Sequence, residues 1–218
     1  MSLVAARHRL DGLRPIVRAW PILLGCALAV GFLSLLLGRN PGTAARRNAG
    51  PLSARAFDLS GRPVDPFQSS QTQSMVFVFL SVECPVSNSY APEVRRLAAE
   101  FAPHGVAFWL VYPNADETPE AVRQHLQDYG FGLAALRDPR HELTKATGAR
   151  VTPEAIVFVP GRGFVYRGRI DNRFVELGKA RVAPTQHDLK DALGAILSGK
   201  PVPQPITRAV GCYISEAP

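Results

Sequence analysis

Apolar residues in this chain fall into three kinds of run, and each predicts a different element. The first is unbroken: between Arg18 and Arg39 stand 20 residues without a charge, AWPILLGCALAVGFLSLLLG. At about 1.5 Å per residue a helix of this length reaches about 30 Å, the thickness of a bilayer core. Trp20 sits at one edge, where an interfacial aromatic belongs, and Cys26 reads as a small apolar filler within the run. The expectation is an uncleaved anchor over 19–38 behind a basic arm, 1–18. A cleaved signal is the alternative, with Gly42-Thr43-Ala44 supplying small residues at a suitable spacing.

The second kind is short, apolar throughout and rich in β-branched and aromatic residues. Met75–Val82 and Val106–Tyr112 predict strands buried on both faces, and Glu154–Val159 predicts a third. The third kind has helical spacing. Val94, Leu97, Ala98 and Phe101 share one face of a helix over Pro92–Phe101, and Pro92 marks a kink or a new segment. Thr118-Pro119-Glu120 opens a helix running to about Tyr129. Pro139–Thr147 predicts a short helix closed by Gly148, and Thr185 is expected to cap a last helix over Gln186–Leu197. Weaker strands are predicted around Phe57, Val64, Leu133–Leu136 and Phe164–Ile170, with Pro160-Gly161-Arg162-Gly163 as a hairpin turn. Residues 39–55 carry no apolar period and read as a linker, 56–198 as one domain, and 199–218 as a tail. The strand–helix alternation implies a parallel βαβ unit, and the closing hairpin makes the sheet mixed. The fold class is α/β.

Charge changes the picture in one respect. The chain of 218 residues carries a net charge of +7, but eight arginines against one acid, Asp11, in 1–55 account for all of it. The remainder holds 17 bases and 17 acids. A general grip on nucleic acid needs a basic field over the binding domain, so no nucleic-acid partner is expected. Four arginines lie on each side of the apolar run, so charge does not orient it.

The candidate chemistry is a thiol. Cys84, in Ser81-Val82-Glu83-Cys84-Pro85-Val86-Ser87-Asn88, falls where a buried strand ends and a helix begins, the edge at which open α/β sheets build sites. Free N–H groups and the positive dipole end of the helix favour a thiolate there. Glu83 next to it would oppose the thiolate if turned inward, or relay protons. Redox chemistry needs a second thiol, and Cys212 is the other cysteine of the body. From Gly199 to Gly211 the tail can span about 43 Å at about 3.3 Å per residue, so Cys212 can reach Cys84. A structural or free thiol in a docked tail is the alternative. His104, His125, His141 and His187 are scattered without metal spacing and read as surface histidines. Asp171-Asn172 reads as a turn. Neither a cofactor nor a resident metal is expected.

Residues 55–198 resemble the thioredoxin-like superfamily, and within it the redoxins and peroxiredoxin-like proteins of the alkyl hydroperoxide reductase/thiol-specific antioxidant type. The resemblance rests on Phe57-Asp58-Leu59…Gly61…Val64, on the strand–Cys84-Pro85–helix junction, on Val151-Thr152-Pro153-Glu154 before a strand, and on the Gly161/Gly163 hairpin with its following helix. It implies a mixed sheet flanked by helices and a membrane-anchored thiol oxidoreductase. Cys84 would be the nucleophile toward a peroxide or a disulfide. Cys212 or an external thiol reductant would resolve the product, and Thr152 and cis Pro153 would shape the groove. The resemblance further implies Ser81 as the hydroxyl three residues before the cysteine and Arg150 as a cation lowering its pKa. It places the anchor 19–38 once through the cytoplasmic membrane with the redox domain in the periplasm. Departures are specific. Ser87 replaces the second cysteine of Cys-x-x-Cys, and Phe77 stands where peroxiredoxins carry proline. A thioredoxin-fold binding module without turnover is the alternative, as is a copper-handling thiol protein, although the Cys-x-x-x-Cys of copper chaperones is absent.

Overall fold

The computed structural model describes residues 52–68 and 72–215. The expected arm and membrane span over 1–38 lie outside the described residues. No helix among those described is long and apolar enough to cross a membrane.

The centre is strand β3, Ser74–Phe79, every residue of which is buried. Its alternation explains the unbroken apolar run. Val76 and Val78, with Leu80 beyond, face one apolar cluster, and Met75, Phe77 and Phe79 face another. Burying one such side chain fully is worth about 1.5–3 kcal/mol, so both faces must be covered. β4, Val106–Tyr112, pairs parallel to β3 from Ser74↔Val106 to Phe79↔Val111. β5, Ala134–Arg137, pairs parallel to β4. On the other side β7, Glu154–Val159, and β8, Gly163–Gly168, run antiparallel, joined by the predicted turn. With β1, Ala56–Phe57, and β2, Pro63–Val64, at the far edge the seven-stranded order is β2-β1-β5-β4-β3-β7-β8.

Among the described residues five α-helices cover this sheet. α1, Pro85–Ser89, and α2, Ala91–Phe101, are separate segments divided at Tyr90, with Pro92 in the first turn of α2. Val94, Leu97, Ala98 and Phe101 face the core as their spacing requires. α3, Pro119–Asp128, is capped by the Thr118 side chain, which accepts from the Ala121 N–H at 3.1 Å. α4 spans Glu142–Thr147 and α5 spans Asp188–Leu197.

Two expectations need correction. Thr185 does not cap α5. Its N–H and hydroxyl are taken by the side chain of Asn172, both at 2.8 Å, and the helix begins at Asp188 with His187 before it. His125 and His141 are not surface residues, being 3% and 4% exposed. His141 Nε2 bonds the Pro113 carbonyl at 2.9 Å, and His125 sits between Tyr112 and Asn88 at 2.8 Å from each. A ring whose two nitrogens both find partners can be buried where an isolated one cannot.

Four short strands lack any signal in the apolar pattern. β9, Phe174–Glu176, and β10, Lys179–Ala180, form an exposed hairpin. β6, Val151–Thr152, and β11, Cys212–Tyr213, form the pairing that closes the site.

Candidate active site

Cys84 ends the loop after β3 and is the residue immediately before α1, with Pro85 in the first turn. It is 1% exposed. The thiol donates to the Thr152 carbonyl at 3.0 Å. Thr152 precedes Pro153, and the bond between them is cis. The groove edge expected from the sequence is therefore against the sulfur.

The tail lies on that same edge. β11 runs antiparallel to β6 with Cys212 opposite Thr152 and Tyr213 opposite Val151. The Ile214 N–H donates to the Arg150 carbonyl at 3.0 Å, and the Thr152 hydroxyl approaches the Cys212 carbonyl at 3.5 Å. Gly211 packs so closely on the Thr152 carbonyl that a Cβ there would overlap it. Farther back, the Thr207 N–H donates to the Arg167 carbonyl at 3.0 Å and the Arg167 N–H to the Pro205 carbonyl at 2.9 Å, and Thr207 fills the space over Gly168, again too tight for a Cβ. Thr207 Oγ1 also accepts from the Arg169 N–H at 3.0 Å and bonds the Tyr166 hydroxyl at 2.9 Å. Two glycines thus let the tail approach the body at two points, and the result is a seated arm rather than a loose one.

The two thiols are brought together and polarised in opposite directions. Burial works against the Cys84 thiolate, but bonds from the Cys212 thiol and from the side chain and backbone of Ser87 outweigh it, and the net pKa is lowered. Cys212 is pushed up to about 11 by burial and by its bond to Cys84. The Ser87 hydroxyl is fully buried and without a hydrogen-bond partner among the described residues, so a thiolate at Cys84, whose pKa it helps to lower, would give it one. Ser87, which breaks the Cys-x-x-Cys pattern, retains a role at the sulfur.

The remaining sequence candidates are placed as follows. The Ser81 hydroxyl donates to Glu117 Oε1 at 2.7 Å and accepts from Asn114 at 3.1 Å. The Arg150 side chain is exposed and is not among the groups lowering the Cys84 pKa; its backbone carries the bond to Ile214. Glu83 is exposed and turned away from the core. Asp171 is more than a turn residue. It is 4% exposed and accepts the Tyr90 hydroxyl at 2.6 Å.

Glu117 and Asn88 brace the cysteine without having been singled out as site residues from sequence, and His125, read there as a surface histidine, supports Asn88. Buried Glu117 holds the loop before it, accepting from Ser81, from the Val82 N–H at 2.8 Å and from Asn114 at 3.1 Å, all on Oε1. Its Oε2 is buried without a partner, and burial raises its pKa despite those bonds. Asn88 holds the helix after the cysteine, donating to the Val82 carbonyl at 3.2 Å and accepting from His125 Nε2. That assignment leaves His125 Nδ1 to accept from the Tyr112 hydroxyl. The ring is thus neutral, in accord with a pKa lowered by burial. A bracing carboxylate behind a loop has no local sequence signature, and an Asn–His pair on two helices has none either.

Among the described residues, Glu93, Asp171 and His187 bring ligand-type atoms within 4.8 Å of one another. Both Glu93 oxygens are engaged by Arg96, at 2.6 and 2.8 Å, and Asp171 Oδ1 by Tyr90 and the Arg173 N–H.

A parallel βαβ core with a cysteine at the strand–helix junction, facing a cis-proline loop, defines a thioredoxin-like protein. Residues 51–173 match the Redoxin family, and the chain belongs to it. It is similar to an uncharacterized conserved protein of Geobacillus kaustophilus, at 26% identity over 77% of this chain and 90% of the other, with a TM-score of 0.66. A hypothetical protein of Sinorhizobium meliloti 1021 is 27% identical over 75% of this chain and 91% of its own, with a TM-score of 0.65. MTB DsbF, solved in mixed oxidized and reduced forms, shares the fold at 18% identity over 67% of this chain and 96% of its own, with a TM-score of 0.50. No curated protein matches the chain.

Proposed function

We propose that this redoxin is a thiol-dependent oxidoreductase in which Cys84 attacks and Cys212 resolves. The observation that carries the reading is the pairing of Cys212 with Thr152, which seats the second thiol at the first. With a hydroperoxide, the Cys84 thiolate takes one oxygen, the O–O bond breaks, and the alkoxide leaves with a proton as the alcohol. The Cys212 thiol then attacks the sulfenic sulfur, forming the Cys84–Cys212 bond and releasing water. With a disulfide, Cys84 forms a mixed disulfide and expels one thiol, and Cys212 displaces the other. An external thiol regenerates the pair in both cases. Thr152 and Pro153 form the wall of the site, and Ser81 acts through Glu117 on the cysteine loop.

The 20 uncharged residues before Arg39 support an anchor over 19–38 in a cytoplasmic membrane, and the resemblance to redoxins supports a domain on its outer face. Retention of the full chain in the membrane fraction after alkaline washing tests this, and release into the soluble fraction sinks it.

For the chemistry, the full chain in detergent is treated with one equivalent of hydrogen peroxide, or separately of a small disulfide, and the cysteines are mapped by mass. Formation of a Cys84–Cys212 bond, abolished in Cys84→Ser and Cys212→Ser, is expected. An unreactive Cys84 would leave a binding module.

A further inference from the structure

The proposed cycle ends in a disulfide with two different sulfurs, and the fold presents them unequally to a third. Cys84 is 1% exposed, behind the Thr152 carbonyl. The backbone edge at Thr152, where an incoming peptide could pair as a strand, is already filled by β11 of the same chain. The seated tail, held by Thr207 over Gly168 and Gly211 over Thr152, keeps it filled. Cys212, by contrast, is partly exposed on a two-residue strand next to the exposed Tyr213.

We propose that electrons enter the oxidised pair at Cys212: the external thiol attacks Cys212 Sγ, and Cys84 is the leaving group. This rests on the Cys84–Cys212 reading. The incoming thiolate forms a bond to Cys212 Sγ while the bond between the two protein sulfurs breaks, and Cys84 departs as a thiolate. A second external thiolate attacks the external sulfur of the mixed disulfide, and Cys212 leaves and takes a proton. Two thiols are oxidised to one disulfide, and one protein disulfide is reduced to two thiols. Exchange is faster when the departing thiol is the more acidic. The buried, unpartnered Ser87 hydroxyl lies ready to receive Cys84 as it departs, whereas Cys212 has no comparable donor among the described residues and is the poorer leaving group. Access and leaving-group chemistry point the same way.

The test uses the full chain in detergent, oxidised with one equivalent of hydrogen peroxide. The Cys84–Cys212 bond is confirmed by mass in an aliquot before any thiol is added. Glutathione is then added in excess, and separately a thioredoxin whose second active-site cysteine is replaced by serine. Samples are quenched in acid within the first turnover and alkylated. Both probes are expected on Cys212, in at least about tenfold excess over Cys84. Adducts on Cys84, or equal amounts on both, overturn the proposal while leaving the oxidoreductase reading intact. Absence of the bond in the first aliquot removes the pair, and the entry point with it. A Gly211→Val variant adds a second arm. With the tail lifted, glutathione is expected to reach Cys84, labelled there by an aromatic disulfide, at least about fivefold faster than in the wild type, and an unchanged rate overturns the shielding.

Discussion

The Thr152 carbonyl accepts the Cys84 thiol on one side while its residue pairs with Cys212 on the other. One short strand before a cis-proline therefore sets the positions of both sulfurs.

Ser87 is where the acidity of Cys84 is tested most directly. Its hydroxyl is buried without a partner among the described residues and helps to lower the Cys84 pKa, so Ser87→Ala removes a donor available to the charged form. Hydrogen bonds to charged groups are worth about 1.5–3 kcal/mol, and about 1.4 kcal/mol is one pKa unit. The Cys84 pKa is expected to rise by about one unit, with alkylation near pH 7 slowing about tenfold. An unchanged rate–pH curve would remove Ser87 from the site.

Gly211 tests the seating of the tail. Any Cβ there meets the Thr152 carbonyl, so Gly211→Ala is expected to slow formation of the Cys84–Cys212 bond by about tenfold or more. Melting temperature should change little, because β11 contributes nothing to the main sheet. Stopped-flow oxidation followed by mass mapping measures the first, and calorimetry the second.

His125 predicts a pH dependence of stability. Burial lowers its pKa below the ordinary value. Above the ordinary value both states hold a neutral ring and the residue contributes no slope. As pH falls below about 6.5, the unfolded chain binds a proton that the folded chain refuses, and stability declines by up to about 1.4 kcal/mol per pH unit. Glu117 and Asp138, whose pKa values are raised by burial, act in the opposite sense, their contribution being lost as pH rises. The comparison is therefore made against His125→Gln. The difference in urea midpoint between the two proteins should shift in favour of the variant between pH 7.5 and pH 5, and a parallel pair of curves would exclude a buried neutral ring.

Glu117→Ala strands the Ser81 hydroxyl and the Val82 N–H. A loss of about 2 kcal/mol in unfolding free energy is expected from unsatisfied buried groups. Glu117→Gln keeps the Oε1 acceptor and should lose less. Equal losses would show that the charge rather than the acceptor braces the loop.

The sequence carries the sheet and the placement of Cys84 at a strand–helix junction because both are written locally. An apolar run such as Val106–Tyr112 has one place to go, and a cysteine before Pro85 at a strand end marks itself. The supports of Cys84 are written non-locally. Glu117 lies 36 residues from Ser81, and Asn88 lies 37 from His125. His125 and His141 look like surface residues until the partners that neutralise their burial are found. The reach of the tail could be counted in residues, but its seat could not, since it depends on Gly168 and Gly211 lacking a side chain where another backbone passes.

The seat at Gly168 also divides the chain in genetic terms. A stop codon just after Arg208 would leave the seven-stranded sheet, its helices and the Thr207 contact whole while deleting the second sulfur. A truncation there would thus yield a folded protein with one cysteine at its site and a changed chemistry. A bulky segment inserted just after Ile214 would sit within a few residues of Cys212 and of the strand pairing that holds it beside Thr152.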